Sequence, residues 1–339
     1  MPRTRPTPAG ARRGPRPAPV YGALDLGTNN CRLLIARPAR GGFRVLDGFS
    51  RVVRLGEGIA ERGTLSEAAM ARAVEALRVC ADKLARRNVA RARAIATEAC
   101  RQAGNCGEFV ARVRDETGLD LEIISSREEA ELTLAGCLPL LDPACPHALV
   151  FDVGGGSAEL VWLCLRPPGP PEILGWVSLP CGVVTLTERN GSHDFTAAAY
   201  AALVEEIAAQ LAPFEGRFRI REQIAAGRVQ MLGTAGTVTT VAGINMGLPR
   251  YNRSLVDGCY LSFEAIARIT AALAGSTYAE RLANPCIGDS RADLVVAGCA
   301  VLDAICRTWP VGALRVADRG VREGILVELI RAAAAAGAA

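Results

Sequence analysis

Two stretches decide how this chain folds: YGALDLGTNNCRLLIA at 21–36 and LVFDVGGGSAELVWL at 149–163. Each reads as an apolar strand, an Asp-x-Gly, a small polar turn and a second apolar strand. Asp25 and Asp152 occupy the same place in this grammar. A single hairpin of this kind is common. Two in one chain, each followed by strands and helices in the same order, point to a duplicated α/β domain. Each copy then offers one Asp-Gly hairpin to a shared cleft.

Working outward, GGFRVLDGFSRVVRL extends the first hairpin into a meander of strands, and 66–86 carries apolar residues at helical spacing with Ser66 as cap. ARAIATEACR reads as strand into loop, 106–117 as helix, LEIIS as strand, and REEAELTLAGCL as a helix stopped by Pro139. In the second half PEILGWVSL is a third strand and RVQMLGTAG a strand running into a glycine turn. Helices follow at 196–212, 235–246, 263–274 and 292–308, then a short strand ALRVA and a final helix from Val321. The expected division is a disordered tail at 1–19, an N-terminal domain at 20–142, a C-terminal domain at 143–320, and a terminal helix at 321–339 packing back on the first domain.

Composition excludes several chemistries. The chain has 339 residues, half of them hydrophobic, enough for two cores. It carries 39 basic and 35 acidic residues, but Arg3, Arg5, Arg12, Arg13 and Arg16 lie in the Pro-rich tail, which contains no acid. The body is thus close to neutral and gives no bulk-charge case for specific nucleic-acid binding. Lys83 is the only lysine and follows no glycine-rich turn, which rules out a P-loop. Two histidines, His147 and His193, cannot build a multi-histidine metal site, and there is no HExxH or GxSxG. Both read as structural or solvated. The 12 cysteines form no CxxC pair and sit mostly in apolar surroundings, as small buried hydrophobes do. With no secretory signal and no membrane-length apolar run, a reduced, cytoplasmic protein with no membrane association is expected.

The chemistry lies in the turns. Successive amides of Gly27-Thr28-Asn29-Asn30 and of Gly154-Gly155-Gly156-Ser157 can form concave anion nests. Carboxylates beside a phosphate cradle repel the ligand unless a cation intervenes, so Asp25, Asp152 and Glu159 are candidate ligands for Mg²⁺ or another divalent cation. Read alone, Glu159 equally fits an exposed strand position. Residues 233–243, GTAGTVTTVAG, form a third glycine turn opening a helix. That is either a phosphate site at the helix N-terminus, through Gly233, Thr234 and Gly236, or glycine-mediated packing.

The series LDLGTNNCRLL, ATEACRQAGN, IISSREEAELTLAG, FDVGGGSAELV, SLPCGVVTLTE, GTAGTVTTVAG, Arg291-x-Asp293 and GVREG resembles the exopolyphosphatase/guanosine pentaphosphate phosphatase (Ppx/GppA) family from about residue 20 to the end. The resemblance implies two actin-like (ribonuclease H-like) domains around an interdomain cleft. It implies that Glu129 is the catalytic base, that Asp152 to Ser157 form the phosphate and metal loop with Glu159 as companion acid, that Arg101 faces phosphate, and that Gly27 to Asn30 form the first phosphate turn. Two departures stand out. Asn30 replaces the family's second serine in the first turn, and Glu131 replaces an arginine, reversing a charge near the cleft and weakening the hold on long polyanions. The chain also lacks the helical extensions of longer members, which counts against processive degradation.

The expected activity is Mg²⁺-assisted release of terminal orthophosphate from inorganic polyphosphate or guanosine pentaphosphate, by a homodimer. A phosphotransferase on the same fold and a non-catalytic alarmone or polyphosphate sensor are the rival expectations.

Overall fold

The structure, a computed structural model, describes residues 18–191, 193–289 and 291–338. All but the last two residues of the tail expected at 1–19 fall outside that set. Eleven strands build two mixed sheets. The first contains β1 (Tyr21–Leu26), β2 (Asn30–Ala39), β3 (Gly42–Val52), β4 (Arg91–Ala96) and β5 (Leu121–Ile123), in the order β3-β2-β1-β4-β5. The second contains β6 (His147–Val153), β7 (Ala158–Cys164), β8 (Glu172–Leu179), β9 (Val229–Thr234), β10 (Tyr260–Ser262) and β11 (Ala313–Ala317). Its order is β10-β11-β9-β6-β7-β8.

Apart from the edge strand β10, the two sheets are the same object. In each, an antiparallel meander of three strands continues into two strands parallel to the first. The registers also match, since Asp25 lies opposite Arg32 in the first hairpin and Asp152 opposite Glu159 in the second. This is the duplicated α/β plan that the repeated hairpins imply, in the actin-like form that the family resemblance implies.

The period-2 alternation of a strand decides where these side chains go. On β1, Leu24 and Leu26 join a core with the helices Glu67–Arg86 and Cys106–Thr117, whereas Tyr21 and Ala23 face the final helix, Val321–Ala338. Asp25 shares the second face. On β6, Leu149, Phe151 and Val153 enter the large second-domain core, while Ala148 and Val150 pack against the helix Ser126–Cys137. Asp152 shares that face. Both aspartates therefore point into the layer between the sheets. The helices filling that layer cross between domains: Ser126–Cys137 precedes the second sheet and packs on it, and the final helix leaves the second sheet to cover the first with Ile325, Leu326 and Leu329.

Several elements differ from expectation. The stretch after β4 is a helix, Glu98–Gln102, where a loop was expected. The helix expected at 196–212 runs over Ala197–Phe218 and holds Pro213 internally, and the one expected from 292 begins at Val295. The three-residue strand β10 and the short helix Val183–Asn190 carry patterns too brief to show in sequence. All 12 cysteines are free thiols, ten of them buried.

Candidate active site

The two hairpin turns close in the same way. The Gly27 amide donates to the Asn30 carbonyl at 2.8 Å, and the Gly154 amide donates to the Ser157 carbonyl at 2.9 Å. Among the described residues, the amides of Thr28, Asn29, Gly155 and Gly156 find no acceptor, as a pair of anion nests requires. The turns also touch one another. A Cβ on Gly155 would stand 3.1 Å from the Thr28 Cβ, and one on Gly156 would stand 2.7 Å from the Thr28 Oγ1. Glycine here permits a close approach of turn to turn as well as of backbone to ligand.

Between the domains lies a cleft with a cavity volume of about 120 Å³. It gathers Asp25, Gly27, Thr28, Asn29, Asn30, Glu129, Asp152, Gly154, Gly155, Gly156, Ser157 and Gly236. Four residues named from sequence lie elsewhere. Arg101 stands behind Glu129, not on the open cleft: its guanidinium donates to the Glu98 carboxylate at 2.8 Å, twice to Glu129 Oε2 at 2.9 Å, and to the Ile124 carbonyl at 2.9 Å. Glu159 is buried, not an exposed strand residue, and accepts from the hydroxyls of Ser157 at 2.5 Å and Ser178 at 2.9 Å. Gly233 faces Phe151, whose ring would lie 2.5 Å from an added Cβ, so its role is packing. Thr234 donates its hydroxyl to the Arg319 carbonyl and lines an adjoining cavity.

Glu129 owes its position to the start of its helix. Ser125 caps that helix by accepting from the Glu128 amide at 3.2 Å, which sets the first turn at the cleft. Glu128 turns outward to Arg93, whereas Glu129 turns inward and is 16% exposed. Burial, reinforced by the Glu159 carboxylate, raises its pKa well above the ordinary range against the opposing pull of Arg101. Desolvation likewise raises Asp25 and Glu159, and pushes Asp152 up to about 7. Glu131 leaves the cleft altogether. It pairs with Arg127 at 2.9 Å on the surface, so its charge is neutralised away from the site.

Three charged residues that sequence reasoning did not assign to the site also line the cleft. Glu98 arrives on the unexpected helix and stands one turn from Arg101. Arg32 shares the inward face of β2, and among the described residues it has no carboxylate within salt-bridge distance. Arg291 lies over the N-terminus of the helix Ala235–Asn245, held by neutral acceptors: the Thr240 hydroxyl at 3.0 Å and the Gly236 carbonyl at 3.4 Å. Burial and the neighbouring Arg32 charge hold its pKa below the usual arginine value. Two guanidiniums that repel each other beside two nests of free amides make a site for a multiply charged anion. A signal for Arg32 existed in the duplication, since it occupies the place of Glu159 opposite the conserved grammar's aspartate.

The fold and this site define a phosphate-handling member of the actin-like proteins. The chain belongs to the Ppx/GppA phosphatase family, whose sequence profile matches residues 34–333. It is 29% identical over 328 residues to Exopolyphosphatase 2 of Mycobacterium tuberculosis, covering 91% of this chain and 97% of that protein. Among solved structures, it is similar to an exopolyphosphatase from Cytophaga hutchinsonii, with a TM-score of 0.83, 27% identity, and coverage of 92% and 98%. The Aquifex aeolicus member of the Ppx/GppA family superposes with a TM-score of 0.74 at 26% identity, covering 93% of this chain and 99% of that one. No helix among the described residues is long and apolar enough to cross a membrane.

Proposed function

We propose that this phosphatase releases terminal orthophosphate from inorganic polyphosphate, with guanosine pentaphosphate as a second substrate. Glu129 carries the reading. It is a desolvated carboxylate with a raised pKa, lining the cleft that both glycine turns enter and oriented by two hydrogen bonds from Arg101, which Glu98 holds in turn. A group so placed can take a proton from a water aimed at a terminal phosphorus. The new P–O bond forms from that water as the anhydride P–O bond breaks. The shortened chain leaves with the electron pair, and the proton passes to Glu129.

The turn amides and the pair Arg32 and Arg291 hold the phosphates in line, which is most of what phosphoryl transfer demands. The donor set also fits Mg²⁺. Asp25 and Asp152 are hard oxygen donors, one from each hairpin, and both are partly buried with raised pKa. No three carboxylate, histidine or cysteine ligands converge as a cage among the described residues. One or two carboxylates completed by substrate oxygens and water is how Mg²⁺ is commonly held on phosphates. When bound there, the ion neutralises phosphate charge.

The reading is tested by phosphate release from both substrates, with and without Mg²⁺, by wild type and Glu129→Gln. The glutamine can still accept from Arg101, so the site keeps its shape. Turnover should fall by roughly 10²–10⁴-fold, with polyphosphate binding within about threefold. Unchanged phosphate release by the variant rules out Glu129 as the base.

A further inference from the structure

The domains also meet at one rim of the cleft, at contacts the hydrolysis described above does not use. Arg54, just after β3, donates from Nη2 to the Asp293 Oδ2 at 2.7 Å, and the two residues belong to opposite domains. Beside them the Gly58 amide donates to the Glu188 Oε1 at 2.8 Å. Both contacts border a second cavity of about 380 Å³ that shares Asn29 and Leu294 with the cleft.

Three features set this ion pair apart from the many surface pairs. Asp293 is only 14% exposed and Arg54 40%, so the pair is partly desolvated and stronger than a solvated one. Arg54 holds a left-handed backbone, φ 47°, which is unfavourable for a non-glycine residue. That conformation is pinned on both sides. Its amide donates to the Asn29 carbonyl at 3.1 Å, and its own carbonyl accepts from Arg72 at 3.3 Å. The pair is also connected at each end to the site. The Asn29 carbonyl, within the first phosphate turn, receives the amides of both Val53 and Arg54. Asp293 lies in the same short segment as Arg291, ahead of the helix Val295–Thr308.

The closed rim also has a cost. Among the described residues, Oδ1 of Asp293 and Oδ1 of Asn29 are both buried with no hydrogen-bond partner. Each orphaned acceptor offsets part of what the ion pair contributes, so the contact is poised to open and is not a permanent weld.

We propose that Arg54 and Asp293 form a latch that closes the cleft, setting the Asn29 turn of one domain and Arg291 of the other at their working separation. Both are positioning residues, since neither lines the catalytic cleft. Opening the latch admits a phosphate chain or releases orthophosphate. Only the kinetic part of this inference rests on the function proposed above.

The test separates the two. Hydrogen exchange of the turns at 27–30 and 154–157 is measured in the free full-length protein for wild type, Arg54→Ala and the charge swap Arg54→Asp/Asp293→Arg. Aspartate tolerates a left-handed backbone better than most residues, so the swap strains position 54 little. Loss of the latch should speed exchange in both turns by roughly tenfold, the scale of one hydrogen bond to a charged group. The swap should restore it to within about threefold of wild type. Equal exchange in wild type and Arg54→Ala overturns the latch, and so does a swap that exchanges as fast as Arg54→Ala. With polyphosphate, Arg54→Ala should raise KM by roughly tenfold while kcat falls by less than about threefold, and the swap should reverse the KM change. A kcat loss at unchanged KM contradicts positioning. A wild type that releases no phosphate refutes the catalytic reading, and the exchange result still decides the latch.

Discussion

Asp152 offers a direct reading of how the cleft balances its charges. It ends β6 on the face between the sheets, where burial and the nearby Glu159 carboxylate push its pKa from the ordinary 3.8 up to about 7. The unfolded chain releases this proton near the ordinary value, so between those limits the folded state binds more protons. Stability must therefore fall as pH rises through the window, by about 1.4 kcal/mol per pH unit for one proton. A span of about three units gives a loss of about 4 kcal/mol. At an unfolding entropy of about 2 cal/mol/K per residue, a chain of this length should lose about 6 °C of Tm. The perturbation is Asp152→Asn, which keeps size and removes the ionisation. The assay is Tm of metal-free protein from about pH 4.5 to 7.5, followed through the same window with added Mg²⁺. Wild type should match the variant at the acid end, fall below it as pH rises, and recover at neutral pH when Mg²⁺ is added. The variant should respond little to the metal. Parallel Tm curves for the two proteins across the window would refute the reasoning, because Asp152 would then be ionised at no cost.

Two other substitutions probe the anion site. Arg291→Ala removes a half-buried guanidinium that, among the described residues, is held by neutral acceptors, so KM for polyphosphate should rise at least tenfold, the scale of a charge-assisted contact, as measured by initial-rate phosphate release. Thermal stability should not fall with it, since the cation is poorly compensated in the free protein. Gly182→Ala would put a Cβ 2.2 Å from the Gly156 carbonyl carbon. It should cost about 1–3 kcal/mol by denaturant titration and depress turnover by displacing the second phosphate turn.

The duplicated fold was legible because strand grammar is local. An apolar run, an acid, a glycine turn and a second apolar run can be recognised in fifteen residues, and both copies fold as they read. The inward placement of Asp25, Asp152 and Glu159 follows from the period of a strand once one face is known to be covered. Glu98 was not legible, because the five-residue helix that carries it is fixed by backbone bonds to the Thr97 carbonyl and has no capping side chain to announce it. Arg101 was expected to face phosphate, but it stands behind Glu129, and its partners Ile124 and Glu129 come from other segments of the chain, so its duty toward Glu129 is a tertiary fact. Gly233 shows the reverse error. A glycine turn suggested phosphate, and the ring of Phe151 on the neighbouring strand had already claimed the space. Glu131 looked unfavourable by position alone, and Arg127 one turn away neutralises it.

The final helix has a consequence for how the protein is made. Tyr21, Ala23, Leu34 and Ala36 are covered by Ile325, Leu326 and Leu329, which are synthesised long after them. During synthesis the second sheet can gather its own core while one face of the first still lies open to water. The first domain to emerge is thus the last to be completed. The cleft lies beside that face, so it cannot take its working shape until the helix Val321–Ala338 has cleared the ribosome. A nascent chain short of Val321 would carry both phosphate turns and yet hold them on an unfinished frame.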